Sequence, residues 1–140
     1  MNKRVSVRGI IVKDDKLVTM FRRKTSRDRF GKVLSVKEYY VIPGGGVDPE
    51  EEYKNALKRE LQEELNIKVN VKKLLFDVES DERIEHFYKC EYISGNFEIV
   101  GEEVGRNTDD NYYEIRFIDV KEVSNYDISE EVKNYFSSLN

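Results

Sequence analysis

The chain has 140 residues, 37% of them charged and 39% hydrophobic, with a net charge of −4. That length predicts one domain, 1–140, large enough to bury a core without disulfide or metal staples. The mild acidic excess, with both signs mixed along the chain, argues against a nucleic-acid coat protein and against anionic membrane surfaces.

At the N-terminus, MNKRVSVRGIIVKDD has a basic start but no long apolar run, so it does not read as a secretory signal. No segment approaches transmembrane length. RVSVRGIIVKDDKLVTMFRRK reads as two β-branched runs around a KDDK turn. TSRDRFGKVLSVK reads as a polar loop with at most a short strand, and EYYVIPGGG as a strand ending in three glycines. A helix follows from about Asp48 to Leu65. Asp48 suits its N-cap and Pro49 its first position, and Glu51 completes a capping box. Tyr53, Leu57, Leu61 and Leu65 recur every four residues and form a packing stripe. IKVNVKKLLFDVES holds at least one strand. RIEHFYKCEYI alternates, placing Ile84, His86, Tyr88, Cys90 and Tyr92 on one face. SGNFEIVGEEVGRNTDDN reads as a charged loop and YYEIRFIDV as another strand. SEEVKNYFSSL closes the chain as a helix whose Val132, Tyr135, Phe136 and Leu139 share a face. Strands around one strong internal helix, with a second helix at the end, predict an α/β protein with a mixed sheet and helices on its faces.

Cys90 is the single cysteine, so no internal disulfide forms and a reducing compartment is expected. Together with the absent signal, this predicts a cytoplasmic protein.

The predicted internal helix is unusual in its acids. Glu60, Glu63 and Glu64 crowd together, and like charges one turn apart destabilise a helix by a few tenths of a kcal/mol, roughly. On a helical wheel Glu60 and Glu64 flank the packing stripe, and Glu63 flanks Glu60. Carboxylates held together at the edge of a buried face share protons or bind cations. Their hard oxygens favour Mg²⁺, Mn²⁺ or Ca²⁺ over zinc, and no Cys or His cluster offers a softer site. The glycines just upstream allow a sharp turn or a close approach of backbone to ligand.

Residues 45 to 67 resemble the Nudix box, Gly-x5-Glu-x7-Arg-Glu-U-x-Glu-Glu-x-Gly-U, with U a bulky aliphatic residue. Gly45 is followed after five residues by Glu51, and after seven more by RELQEELNI, Arg59 to Ile67. The one departure is Asn66 in place of the motif's last glycine. Asparagine is the next-best residue for a left-handed position after a helix. The resemblance implies a Nudix α/β/α sandwich that hydrolyses a nucleoside diphosphate linked to a group X. It implies Mg²⁺, with Mn²⁺ as a substitute, held by Glu60, Glu63 and Glu64 and by the Gly45 carbonyl. The same three glutamates would be catalytic, with Glu60 orienting or deprotonating the attacking water in some members. Glu51 and Arg59 would pair structurally. A further metal carboxylate would come from Glu102, Glu103, Asp109 or Asp110.

Arg22 and Arg23 end a strand that points by analogy toward the cleft, and Arg23 is the candidate for substrate binding. His86 reads as a packed core or cleft histidine first and as a base or substrate contact second. Tyr39, Tyr40, Tyr112 and Tyr113 read chiefly as core or sheet residues. The expected substrate is a small-molecule nucleotide: a nucleoside triphosphate, oxidised or not, or a nucleotide sugar. The alternatives are removal of diphosphate from an RNA 5′ end and a non-catalytic nucleotide-binding or sensor domain. No membrane or stable nucleic-acid complex is expected, and a homodimer is allowed.

Overall fold

The computed structural model describes residues 3–100 and 105–139. Its elements are β1 (Arg4–Lys13), β2 (Lys16–Arg27), β3 (Val33–Val41), β4 (Gly44–Gly46), α1 (Tyr53–Leu65), β5 (Ile67–Glu79), β6 (Arg83–Gly95), β7 (Asn111–Asp119), a 3-10 helix (Val120–Asn125) and α2 (Glu130–Ser138). The seven strands form a mixed sheet in which β1 and β6 run parallel and the other pairs antiparallel. This is the expected α/β/α arrangement.

The two-residue turn between β1 and β2 holds Asp14 and Asp15 at φ 53° and 61°. Positive φ at both positions matches the right-handed twist of the strands it joins. Next to it β1 and β2 pair only at Val12↔Leu17 and Lys13↔Lys16. Beyond those pairs each strand takes different neighbours. β1 lies between β4 and β6, whereas β2 lies between β3 and β7. The sheet therefore splits into two wings, and the cleft between them is where the functional groups collect.

Period-two alternation sorts the side chains into two cores. Ile11, Val18, Tyr88 and Cys90 join Ala56, Leu57, Leu61 and Leu65 of α1 in one. Their neighbours Ile10, Leu17 and Phe87 face the other, with Val123 of the 3-10 helix and Val132 and Phe136 of α2. Among the described residues no helix is long and apolar enough to cross a membrane.

Four sequence expectations change. The loop expected at TSRDRFGKVLSVK is a long hairpin, with β2 reaching Arg27 and β3 starting at Val33. Its turn is held by Asp28, whose Oδ1 accepts from Phe30 and Lys32 N–H. The outer part of β3 is exposed on both faces, so its sequence lacks the alternation that marks a half-buried strand. α1 starts at Tyr53 rather than Asp48, because Glu50 stands at φ 66° and interrupts helical continuity. Half of the capping box survives as a turn, with Asp48 N–H donating to Glu51 Oε1 at 3.1 Å. Tyr53 leaves the packing stripe and is 40% exposed, with Ala56 buried beside Leu57. The glycines form a strand, β4, and not a turn.

Candidate active site

β4 lies on β1 in the register Ser6↔Gly46, Val7↔Gly45, Arg8↔Gly44. The three glycines meet different demands. Gly44 stands at φ 153°, and a Cβ there would come within 1.9 Å of the Val7 carbonyl oxygen. Backbone alone requires glycine at that position. At Gly45 the obstacle is a side chain, since an added Cβ would lie 2.4 Å from Glu60 Oε2. The Glu60 carboxylate thus rests on bare glycine backbone, with its side chain only 14% exposed. Nothing lies within 4 Å of a Cβ on Gly46.

Arg59 joins these pieces. Nε and Nη2 donate to Glu51 Oε2 and Oε1 at 2.8 and 2.9 Å, a bidentate pair. Nη2 also donates to the Gly46 carbonyl at 3.1 Å, which fastens β4 to α1. Nη1 donates to Glu60 Oε1 at 3.1 Å and to Glu63 Oε2 at 3.2 Å. Arg59's pairing with Glu51 raises its pKa further above the ordinary range. The same bond, aided by the Asp48 N–H, holds the Glu51 carboxyl below its ordinary value. The Glu51–Arg59 pair expected from the sequence is therefore in place.

The three helix glutamates are arranged unequally. Glu60 and Glu63 share Arg59 Nη1, and Glu63 is the most exposed at 59%. Glu64 instead lines a cavity of about 450 Å³ in the cleft between the wings. Among the described residues no three His, Cys, Asp or Glu side chains gather as a metal-holding group. In kind the donors fit a hard divalent ion: carboxylates at two adjacent turns of one helix, one of them seated against a glycine backbone that admits close approach. Of the expected late-loop carboxylates, the two that are described, Asp109 and Asp110, do not join them. Asp110 bonds Arg27 Nε at 2.8 Å at the far end of β2, and Arg27 lowers its pKa. Asp109 is exposed beside it, and Glu102 and Glu103 lie outside the described residues.

Besides Glu64, the charged groups of the cavity lining are all basic. Arg4 and Arg8 reach it from β1, Arg22 from β2, Arg83 from β6, and Arg106 from the segment before β7. Arg22, not Arg23, occupies this wall, because adjacent strand residues point to opposite faces. Arg23 lies over the Tyr112 ring, 4.7 Å from its centroid. Arg22 sits 4.5 Å from the Tyr113 centroid and donates to its hydroxyl at 2.9 Å, yet Nε is buried with no partner among the described residues. Arg8 pairs with Glu85 at 2.9 Å. A second cavity of about 320 Å³ shares Arg8, Arg22, Val41, Ile42 and Arg83 with the first and continues to Tyr39, Tyr40 and Phe87.

Sequence reasoning did not single out Arg4, Arg8, Arg83 or Arg106. The available signal was RVSVR, where arginine recurs on one face of a strand whose other face is apolar. His86 lines neither cavity. Its Nδ1 donates to Asp77 at 2.6 Å, and Tyr53 stacks on its ring at 4.8 Å. That is a satisfied, packed histidine.

No curated protein matches the chain. Solved structures share the fold at low identity. A MutT NUDIX hydrolase from Burkholderia pseudomallei is 20% identical with a TM-score of 0.69, all of each chain being covered. An ADP-ribose pyrophosphatase from Streptococcus suis is 14% identical with a TM-score of 0.65, covering 99% of this chain and 93% of that one. A UDP-X diphosphatase is 18% identical with a TM-score of 0.63, covering 99% of this chain and 63% of that one. The family model described as the NUDIX domain matches residues 2–138, nearly the whole sequence, and the chain therefore belongs to the Nudix hydrolase family.

Proposed function

We propose that the chain is a divalent-metal-dependent pyrophosphohydrolase acting on the diphosphate linkage of a nucleoside diphosphate–X. The observation that carries this reading is the cavity whose lining brings Glu64 and Gly44 together with five arginines. It joins an acidic edge suited to a cation with a basic wall suited to phosphate oxygens.

Glu60, Glu63 and Glu64 would hold Mg²⁺, with the Gly45 carbonyl beside them. The ion would neutralise phosphate charge and make bound water a stronger nucleophile. The chain's own residues supply the rest. Arg59 keeps Glu60 against β4 and links the helix to the Gly46 carbonyl. Glu60, little exposed and backed by Gly45, orients the attacking water or takes its proton. The arginine wall grips the phosphate oxygens and offsets the charge that develops on the leaving phosphate. Water oxygen bonds to one phosphorus and that phosphorus–bridging oxygen bond breaks. The leaving phosphate keeps the bond's electron pair, and the water's proton ends on a product phosphate or in solvent.

The test is a turnover panel of nucleoside triphosphates, nucleotide sugars, dinucleoside polyphosphates and 5′-triphosphate RNA, with and without Mg²⁺. Metal-dependent cleavage abolished by Glu64→Gln is expected. Tight nucleotide binding with no turnover would instead favour a sensor domain.

A further inference from the structure

Three lysines meet at a break in the β5–β6 ladder, beside a cavity that α2 helps to line. We infer that the lysines and the cavity form a second binding site, for a small amphipathic anion: a carboxylate or phosphate head on an aliphatic body. The site is separate from the cleft described above and does not depend on the hydrolase reading.

The β5–β6 register passes from Val71↔Cys90 to Leu74↔Tyr88, so Lys72 and Lys73 together oppose the single residue Lys89. Two residues against one make a β-bulge, a device that re-aims side chains. In an unbroken strand adjacent side chains point to opposite faces. Here Lys72 and Lys73 both line one cavity, and Lys89 lines it with them. Like charges facing one another across a ladder destabilise it, and these three stand together in a chain of net charge −4. Only Lys72 has an acid near it, Glu91 at 3.8 Å. Lys73 and Lys89 have no ion-pair or side-chain hydrogen-bond partner among the described residues.

Bulges and lysines also protect an exposed sheet edge from pairing with other chains, and β5 ends the strand order. That role leaves Lys89 unexplained, because β6 lies inside the sheet between β1 and β5. An anion among the three ammonium groups relieves their repulsion.

What lies beside the lysines is apolar. Ile10 is buried in the core that Phe136 of α2 helps to close. Val12, two residues further along the same strand face, stays exposed, as does Leu139 at the C-cap of α2. All four line the cavity. Its volume of about 540 Å³ suits a small molecule. A neutral apolar ligand would leave the ammonium charge unanswered, and a bare inorganic anion would leave the apolar floor wet. A ligand with both parts answers both. Ammonium groups lack the planar fork of guanidinium, so they hold a carboxylate or a phosphate head without selecting its geometry. This cavity shares no lining residue with the two cavities of the arginine-lined cleft.

Calorimetric titration of the full chain with octanoate, octanol and acetate separates head from body. Octanoate should bind at one saturable site, at least about tenfold more tightly than octanol, as a contact to a charged group implies. Acetate, which lacks the apolar body, should bind at least about tenfold more weakly than octanoate. Added salt should narrow the gap between octanoate and octanol. Lys73→Ala should weaken octanoate about threefold and Lys73→Glu about tenfold, with octanol unchanged. Methyl NMR shifts on saturation should appear at Val12 and Leu139 and be absent at Val41 and Ile42, which line the other two cavities.

Octanol binding as tightly as octanoate, affinity indifferent to Lys73→Glu, or shifts confined to other exposed methyls such as those of Leu34 and Val36 would overturn the inference. Self-association that covers Val12 and Leu139 as protein concentration rises, with no octanoate uptake, would overturn it in favour of a second copy of the chain. The comparison of octanoate with octanol uses the unaltered chain, so it decides the matter even if neither lysine variant folds.

Discussion

A cavity larger than the one lined by Glu64 lies elsewhere in the molecule. At about 540 Å³ it lies between β1, β5, β6 and α2, with Ile10, Cys90 and Phe136 in its lining and Lys72, Lys73 and Lys89 around them. The arginine cavity is smaller and more polar in its lining. Both are basic, but their cations differ in how they are held. Lys72 is half exposed, and its ammonium is 3.8 Å from Glu91. Arg22 is stacked on Tyr113 and hydrogen-bonded to it, and Arg8 is fixed by Glu85 and by the Ile42 carbonyl. Planar, preoriented guanidinium groups lose little freedom when they bind phosphate, whereas flexible ammonium groups lose more. The comparison teaches that preorganised charge next to a metal-type donor set, rather than volume, marks the reactive cleft.

That contrast is open to test, from the largest expected effect to the smallest. Glu64→Gln should lower kcat about a thousandfold by removing several kcal/mol of transition-state stabilisation. Lys89→Ala in the larger cavity should leave initial rates within about twofold. A comparable loss from the lysine change would erase the distinction between the cavities.

The glycine strand sharpens it further. Gly45→Ala should displace the Glu60 carboxylate and cost about a hundredfold in kcat, while Gly46→Ala, which meets nothing within 4 Å, should be nearly silent in rate and melting temperature. Equal effects at the two positions would mean that Glu60 is not held by Gly45.

Glu51 gives a pH signature. Its pKa is lower in the folded chain than in the unfolded one, chiefly through Arg59. The stabilisation from this pair is therefore present above the ordinary glutamate value, about 4.3, and is lost as pH falls through the lower folded value. Glu51→Gln should lower the melting temperature at neutral pH and flatten its decline on acidification, as followed by circular dichroism.

A smaller effect is expected at Asn66, whose φ of 59° ends α1. Its side-chain amide also donates to the Asn96 carbonyl and to Glu98, tying the following loop to the helix end. Asn66→Ala should cost about 1 kcal/mol in a urea melt. Asn66→Gly should come out near neutral, since the backbone gains ease while the loop contacts are lost.

Smallest of all is the response of Cys90. Burial pushes its pKa up to about 12. At pH 8 a thiol reagent should label it far more slowly in the native chain than in urea, although it lines the larger cavity.

Much of this was readable before any coordinates. The spacing of Gly45, Glu51, Arg59 and the three glutamates is local, and an α-helix converts such spacing directly into a shared face. Asn66 was legible for the same reason, because a left-handed helix end selects among very few residue types. The start of α1 was not, since Asp48, Pro49 and Glu51 satisfy a capping pattern that the positive φ at Glu50 diverts into a turn. The inner part of β3, EYYV, was legible as a strand, but its outer part escaped notice because strand residues exposed on both faces have no hydrophobic period to detect.

The arginine cavity belongs to another category. RVSVR sets Arg4 and Arg8 on one strand face, but nothing in the chain's order indicates that Arg83 would pair across from Arg4 or that β1 and β2 would diverge after two residue pairs. The sequence by itself determined the acid side of the site, because those groups lie within one helix and the strand before it. Tertiary structure alone decided the basic side. Its five arginines come from positions 4 to 106, and only strand pairing at long separation brings them to one wall.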